Sequence, residues 1–185
     1  RCGDIIKNLL ILAKKDFGTW TEESLNKIIY NSIQLVKHKV QIKELELIQE
    51  LAEGNDIIYC DASGIQHILV ALFINAIDAT SKGGKLKVKT ILSGNNHEVQ
   101  IVVSDTGSGI PEEILPHIFE PFVSTKESTG LGLAVVYGII QQHKGEIEVE
   151  SKPNQGTTFI ISLPRRPLQA QGGLSGHVIN LEPQH

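Results

Sequence analysis

Apolar positions along this chain fall into periodic blocks separated by short polar breaks. In residues 1 to 16, Ile5, Ile6, Leu9, Leu10 and Ala13 recur at i, i+1, i+4, i+5 and i+8, one stripe of an amphipathic helix. The stripe needs a partner, and this chain's own core, another helix or a second copy would each serve. Phe17 to Thr21 reads as a Gly-containing joint, where Thr21 with Ser24 three residues on can cap a helix from about Glu22 to Lys39. Leu45, Leu47 and Gln49 alternate with Glu44, Glu46 and Ile48, the period of a strand, and Ile57 to Cys60 is a second short strand after a Gly-Asn turn. Asp61 caps the clearest helix: Ile65, Ile68, Leu69, Leu72, Phe73 and Ala76 form a stripe that must face a core. At about 100° per residue, Ala71, Asn75 and Asp78 form a neighbouring stripe at its edge.

Gly83-Gly84 ends that pattern, and Lys85 to Leu92 and Glu98 to Ser104 read as a hairpin joined by Ser93-Gly94-Asn95-Asn96. Residues 105 to 130 form a long segment rich in Gly, Pro, Ser and Thr, and long loops in compact domains are usually functional. Leu131 to His143 is an apolar helix ended by Gly145. Glu146 to Ser151 and Thr157 to Leu163 make a closing hairpin around Pro153-Asn154-Gln155-Gly156. After Pro164 the composition turns to Pro, Gln, Gly and His, a flexible tail. No segment repeats.

At 185 residues the chain holds one domain of about 150 residues plus a short extra piece. With 41% hydrophobic and 21% charged residues, wholesale disorder is excluded. The net charge of −4 offers no basic surplus for nucleic acid. The longest stretch free of charges and amides in the apolar regions, Gly130 to Ile140, falls well short of the roughly 18 to 20 residues of a membrane span. No membrane contact is expected from it. Cys2 and Cys60 are too few for a disulfide framework and lack further ligands for a zinc site, so a reducing, cytoplasmic setting is expected. The absence of Met and the uncapped helical pattern at Arg1 predict a piece of a longer protein.

Asp105-Thr-Gly-Ser-Gly-Ile-Pro sits where a strand ends. Glycines there let the backbone approach a ligand, and an ionised Asp only accepts hydrogen bonds, which suits an exocyclic amine such as that of adenine. Alone, the string also fits an ordinary Asp-Gly turn. Thr129-Gly130-Leu131-Gly132-Leu133 lies directly before a helix, where free N–H groups and the positive dipole end favour a phosphate. Alone, it fits close packing as well, and neither common strand-to-helix nucleotide motif is matched. Lys126, four residues before Gly130, is a candidate phosphate contact or simply solvated. Asn75 offers an oxygen of the kind Mg²⁺ accepts beside phosphate, or is a boundary Asn bonded to backbone. The order raises the specificity: Asn75 on a helix, Asp105 thirty residues on, a Gly-rich loop, then Gly130 and Gly132 opening a helix.

With these residues in place the chain resembles the catalytic, ATP-binding domain of sensor histidine kinases of two-component signalling, in the GHKL (HATPase_c) superfamily. QHILVALFINAIDA at 66 to 79 resembles the N box, with Asn75 at its Mg²⁺-binding Asn; DTGSGIP at 105 to 111 resembles the G1 box, with Asp105 at the adenine-reading Asp. IFEPFVSTK at 118 to 126 resembles the F box, TGLGL at 129 to 133 the G2 box, and GTTF at 156 to 159 the closing-hairpin motif that places Thr157 near adenine. The match covers about residues 22 to 164. RCGDIIKNLLILAKK resembles the end of the second helix of the preceding dimerisation and phosphotransfer domain, giving a helix remnant at 1–16, a joint at 17–21, the catalytic domain at 22–164 and a tail at 165–185.

The resemblance implies a two-layer α/β sandwich (Bergerat-type ATP-binding fold), a mixed β-sheet with helices on one face, and ATP and Mg²⁺ as ligands. It implies a site drawn from Asn75, Asp78, Asp105, Gly107, Gly109, Ile110, Phe119, Phe122, Lys126, Thr129, Gly130, Leu131, Gly132, Leu133 and Thr157, with Asn75 both catalytic and metal-binding. Phe122 to Thr129 would be a nucleotide-ordered lid, with Phe119 and Phe122 holding its base on the core. The implied partners are the protein's own phosphotransfer domain, a response regulator receiver domain and a second copy of the parent protein. The parent itself is either cytoplasmic or membrane-anchored. Three positions depart from the family pattern. Ala71, one turn before Asn75, replaces the Asn or His usual in histidine kinases and the catalytic Glu of the wider ATPase superfamily, and since Ala cannot serve as a base this disfavours hydrolysis; Ser128 replaces the first Gly of the G2 box; and no histidine lies in a phosphoacceptor pattern, His97-Glu98 being at a hairpin turn. The rival expectations are an anti-sigma-type serine kinase of the same superfamily and a degenerate nucleotide-binding module without kinase activity.

Overall fold

A computed structural model describes residues 18–94, 97–123 and 131–166. The expected helix at 1–16, the lid residues 124–130 and most of the expected tail lie outside them. The described elements run β1 (Trp20–Ser24), α1 (Leu25–Ile42), β2 (Glu46–Glu50), β3 (Ile57–Asp61), α2 (Ala62–Ala79), β4 (Lys85–Leu92), β5 (Glu98–Asp105), a 3-10 turn (Leu115–His117), α3 (Gly132–Gln142), β6 (Glu146–Lys152) and β7 (Gly156–Pro164).

Five strands form one mixed sheet in the order β2-β4-β5-β7-β6, with β2 parallel to β4 and every other pair antiparallel. Alternation puts every second residue on one face, and register aligns these into transverse rows such as Val88–Val103–Phe159–Val149. That face is buried under three helices: Ile29, Ile33 and Val36 of α1, Leu69, Leu72 and Phe73 of α2, and Val136, Ile139 and Ile140 of α3 join it in one core. Among the described residues only α2 is long and apolar enough to cross a membrane, and its apolar stripe is spent on this core. The expected α/β sandwich with a mixed sheet is therefore the observed fold.

Two expectations need correction. Residues 20 to 24, divided between a joint and a helix by their pattern, form β1, which pairs antiparallel with β3 in a separate two-stranded sheet. Ser24 rather than Thr21 caps α1: its Oγ accepts from the Lys27 N–H at 3.2 Å and its proton goes to Asp56 Oδ2 at 2.6 Å. Arg165, expected to open the tail, is buried. Its backbone N–H donates to the His97 carbonyl, its own carbonyl accepts from the Tyr59 N–H, and its guanidinium donates to the carbonyls of Ile57 and Asn55. That one side chain straps the end of β7 to β3.

Asp61 caps α2 as expected, with Oδ1 accepting from the Ser63 N–H at 3.0 Å and Oδ2 from the Gly18 N–H at 3.1 Å. Beside it His143, the C-cap of α3, is buried: its Nδ1 meets the Ile139 carbonyl, its Nε2 accepts from the Asp61 N–H, and Trp20 stacks on it at 4.5 Å. An Nε2 that accepts carries no proton, and burial pushes the imidazole pKa down against the opposing pull of the Ile139 carbonyl and the Asp61 carboxylate. The unfolded imidazole binds a proton near pH 6.5, so its contribution is present above that value and lost as pH falls towards the lowered folded pKa. Acidification is thus expected to lower the urea midpoint read from Trp20, the only tryptophan, and to lower it less in His143→Gln. Equal losses in both proteins would place the titrating group elsewhere.

Candidate functional site

At one end of the sheet the apolar rows turn polar. Register pairs Leu47 with Leu86, Leu86 with Asp105, and Thr157 with Ser151. Ser104 pairs with Thr158, so the next step of the same register sets Asp105 alongside Thr157. Leu47, Leu86, Asp105, Thr157 and Ser151 therefore form one transverse row on the helix-covered face, apolar at β2 and β4 and polar at β5, β7 and β6. Asp105 lies there because β5 ends on it. Thr106 ties that end to β4 by two hydrogen bonds with Lys85, and the Gly107 N–H donates to Asp105 Oδ1 at 2.7 Å, curling the chain into the loop.

The loop is fastened on both sides. A side chain at Gly107 would meet the backbone of Ala79, the last residue of α2, at 2.7 Å, and the Ser108 N–H donates to the Ala79 carbonyl. This contact fixes Asp105 relative to the helix that carries Asn75. On the other side the Asn154 N–H donates to the Ser108 carbonyl at 2.7 Å and the Ile110 N–H donates to Ser151 Oγ at 2.9 Å. Gly109, at φ +68°, lies against the backbone of Lys152 with no room for a Cβ. Asp105, Gly107, Gly109, Ile110 and Thr157 are thus brought together at this end of the sheet. Ser151, which joins Ile110 to Thr157, was not singled out; the signal was its position opposite Thr157 across the Pro153–Gly156 turn.

The remaining expected residues that the structure describes belong to other elements. Asn75 is exposed at the edge of α2. Asp78, one turn on, faces α1, where Lys39 Nζ lies 3.8 Å from its carboxylate. Phe119 is half-buried against the core, its ring 5.6 Å from that of Tyr137 on α3, and the adjacent Ile118 is buried. Phe122 does not anchor this segment as expected: it is 65% exposed at φ +67°, a left-handed turn that takes its ring off the core. Leu131 is the N-cap of α3, without a side-chain hydrogen bond, so helix geometry leaves the first N–H groups of Gly132–Gln142 without intrahelical acceptors. A Cβ at Gly132 would meet nothing within 4 Å, and Leu133 packs on the core edge. Lys126, Ser128, Thr129 and Gly130 lie outside the described residues.

Among the described residues no three His, Cys, Asp or Glu side chains gather as a metal cage. Buried Cys60 is no substitute ligand, because burial first and the Glu23 and Asp61 carboxylates second push its thiol up to about 12. The candidate residues offer a polar row at the end of a sheet, an amide oxygen on one helix and, by helix geometry, N–H groups without intrahelical acceptors at the start of another.

Residues 60–167 match the family model for histidine kinase-, DNA gyrase B- and HSP90-like ATPases. The chain belongs to this family. Within it, the catalytic domain of the histidine kinase ThkA superposes with a TM-score of 0.74 at 32% identity, covering 81% of this chain and 100% of that one. This is therefore a histidine kinase catalytic, ATP-binding domain. Sporulation kinase E of Bacillus subtilis is 36% identical over 167 residues, 90% of this chain and 22% of that protein. The sensor histidine kinase ZraS of Salmonella typhimurium is 38% identical over 165 residues, 89% of this chain and 35% of that protein. The chain thus spans between about a fifth and just over a third of the length of these curated relatives. ThkA in complex with the response regulator protein TrrA matches with a TM-score of 0.71 at 28% identity, over 88% of this chain and 47% of that one.

Proposed function

We propose that this catalytic domain binds Mg²⁺-ATP and presents its γ-phosphate to a histidine on a phosphotransfer domain, for relay to the aspartate of a response regulator receiver domain. In this reading residues 1–16 end the helix that leads from the phosphotransfer domain, 22–164 form the catalytic domain, and the parent protein is a homodimer. The observation that carries the reading is the polar row: Asp105, an acceptor suited to the adenine amine, and Thr157 sit side by side on adjacent strands.

The donor set also fits a metal. Asn75 supplies one hard oxygen at an exposed helix edge, and Mg²⁺ keeps waters and takes phosphate oxygens for its other positions. Bound there, the metal would neutralise phosphate charge. The N–H groups at the start of α3, with Thr129, Gly130 and Lys126 before it, would orient the phosphates. Ala71, half-buried one turn before Asn75, holds no group able to activate water. Catalysis then rests on positioning and charge neutralisation, and the γ-phosphate passes to a presented nucleophile rather than to water.

Labelled ATP, this chain and a separately supplied phosphotransfer domain should together yield acid-labile, base-stable phosphate on the added domain and none on this chain. Nucleotide binding without transfer would favour a degenerate module, and phosphoserine on an added protein the serine kinase alternative. Asp105→Asn should weaken ATP binding by about 1.5 to 3 kcal/mol, the span for a hydrogen bond to a charged group, and calorimetry reads this directly. Equal affinity for ATP and GTP in the unmodified chain would contradict adenine recognition.

A further inference from the structure

Three contacts meet at the Ser151 hydroxyl. Its oxygen lies 2.9 Å from the Ile110 nitrogen, 3.0 Å from the Gly156 carbonyl oxygen and 2.9 Å from Thr157 Oγ1. A hydroxyl has one proton and two lone pairs to share among them. The Ile110 N–H only donates and so takes a lone pair. The Gly156 carbonyl only accepts, so the contact with it is attractive only if Ser151 spends its proton there. Donating to Thr157 instead would leave two lone-pair-bearing oxygens facing each other at 3.0 Å. The second lone pair of Ser151 is then what Thr157 meets, and the Thr157 hydroxyl must be the donor.

The consequence lies on the other side of Thr157. Its proton is turned towards β6, it has no other hydrogen-bond partner among the described residues, and it is buried beside Asp105 in the same row. Towards a ligand it offers lone pairs alone. Asp105, when ionised, is likewise an acceptor only. We propose that Ser151 is a positioning residue that fixes the proton polarity of Thr157, so that Asp105 and Thr157 together read a hydrogen-bond donor on the purine and disfavour one with a carbonyl at that place. The proposal rests on the adenosine-nucleotide reading and adds to it a specificity residue that itself stays off the base.

The test is the ratio of ATP to ITP affinity, measured by calorimetry, because inosine replaces the 6-amine by a carbonyl. The unmodified chain should prefer ATP. In Ser151→Ala the Thr157 hydroxyl is free to turn and donate, and the ratio should narrow about two- to tenfold, the span of one net hydrogen bond. Ser151→Thr, which keeps the hydroxyl, should restore it. In a Thr157→Val background Ser151→Ala should leave the ratio unchanged, since Ser151 acts only through Thr157. Should Ser151→Ala fail to fold, Ser151→Cys takes its place, its thiol being a weak acceptor that should also narrow the ratio. An equal loss of both affinities, or an unchanged ratio, in the folded variant overturns the proposal while leaving ATP recognition standing. Binding without preference in the unmodified chain overturns the adenosine reading itself, and the polarity proposal with it.

Discussion

Gly156→Ala is expected to abolish nucleotide binding and to lower the unfolding free energy by about 3 kcal/mol or more. Two costs combine at this position. The backbone sits at φ +88°, where an L side chain is strained, and a Cβ would be driven onto the Asp105 carbonyl, with Thr106 Cα only 3.0 Å away. Neither neighbour can give way cheaply. Asp105 ends a strand laddered to β4 and β7, and Gly156 opens the strand that carries Thr157. Any relief must spread β5 from β7 at the place where Asp105 and Thr157 are held together. Gly83→Ala separates the two costs, since Gly83 is at φ +79° with nothing within 4 Å of its Cβ. That variant should lose only the strain, about 1 to 2 kcal/mol, and keep its nucleotide affinity. Urea denaturation and calorimetry on both variants give the comparison, and indistinguishable behaviour would mean that the Asp105–Gly156 approach does not matter.

The helix-covered face of the fold was legible because its signals are long and redundant. The α2 stripe from Ile65 to Ala76 spans three turns, and Val99, Ile101 and Val103 alternate against Phe159, Ile161 and Leu163. β1 was not legible, because Trp-Thr-Glu-Glu-Ser carries no alternation and gains its strand conformation from pairing with β3, whose partner residues lie 33 to 41 positions further along the sequence. Arg165 was misread for a related reason: a Pro- and Arg-rich stretch looks solvated until the carbonyls of Asn55 and Ile57 are brought to its guanidinium. At the site, Asp105, Gly107 and Gly109 were readable as a local string. Ser151 was not, because its role depends on cross-strand register, in which a one-residue slip would turn it to the other face. Phe122 failed in the opposite direction, since an aromatic residue beside Phe119 reads as core, yet its left-handed backbone leaves it exposed.

Asn75→Ala is expected to cut phosphotransfer about 100-fold or more, the usual effect of removing one preorganised charge-stabilising group, while leaving the fold intact. The two halves of this expectation come from different faces of α2. Ile68, Leu72 and Phe73 face the core and Asn75 is exposed beside them, so truncating it opens no cavity. Alanine is also the better helix former, worth several tenths of a kcal/mol at an exposed interior position, so thermal stability should hold or rise slightly. In the proposed reading the nucleotide's base end is held on other elements, by Asp105 and Thr157 with Ser151 behind them. ADP affinity measured in the presence of a chelator should therefore be unchanged in the variant, and only the Mg²⁺-dependent increment and the transfer step should be lost. This split separates a metal-positioning role from general damage to the pocket. Lowered stability would make Asn75 a structural residue, whereas full transfer in a folded variant would mean that the metal is held elsewhere. Loss of chelator-insensitive ADP binding would tie Asn75 to the base end, contrary to the proposed division of roles.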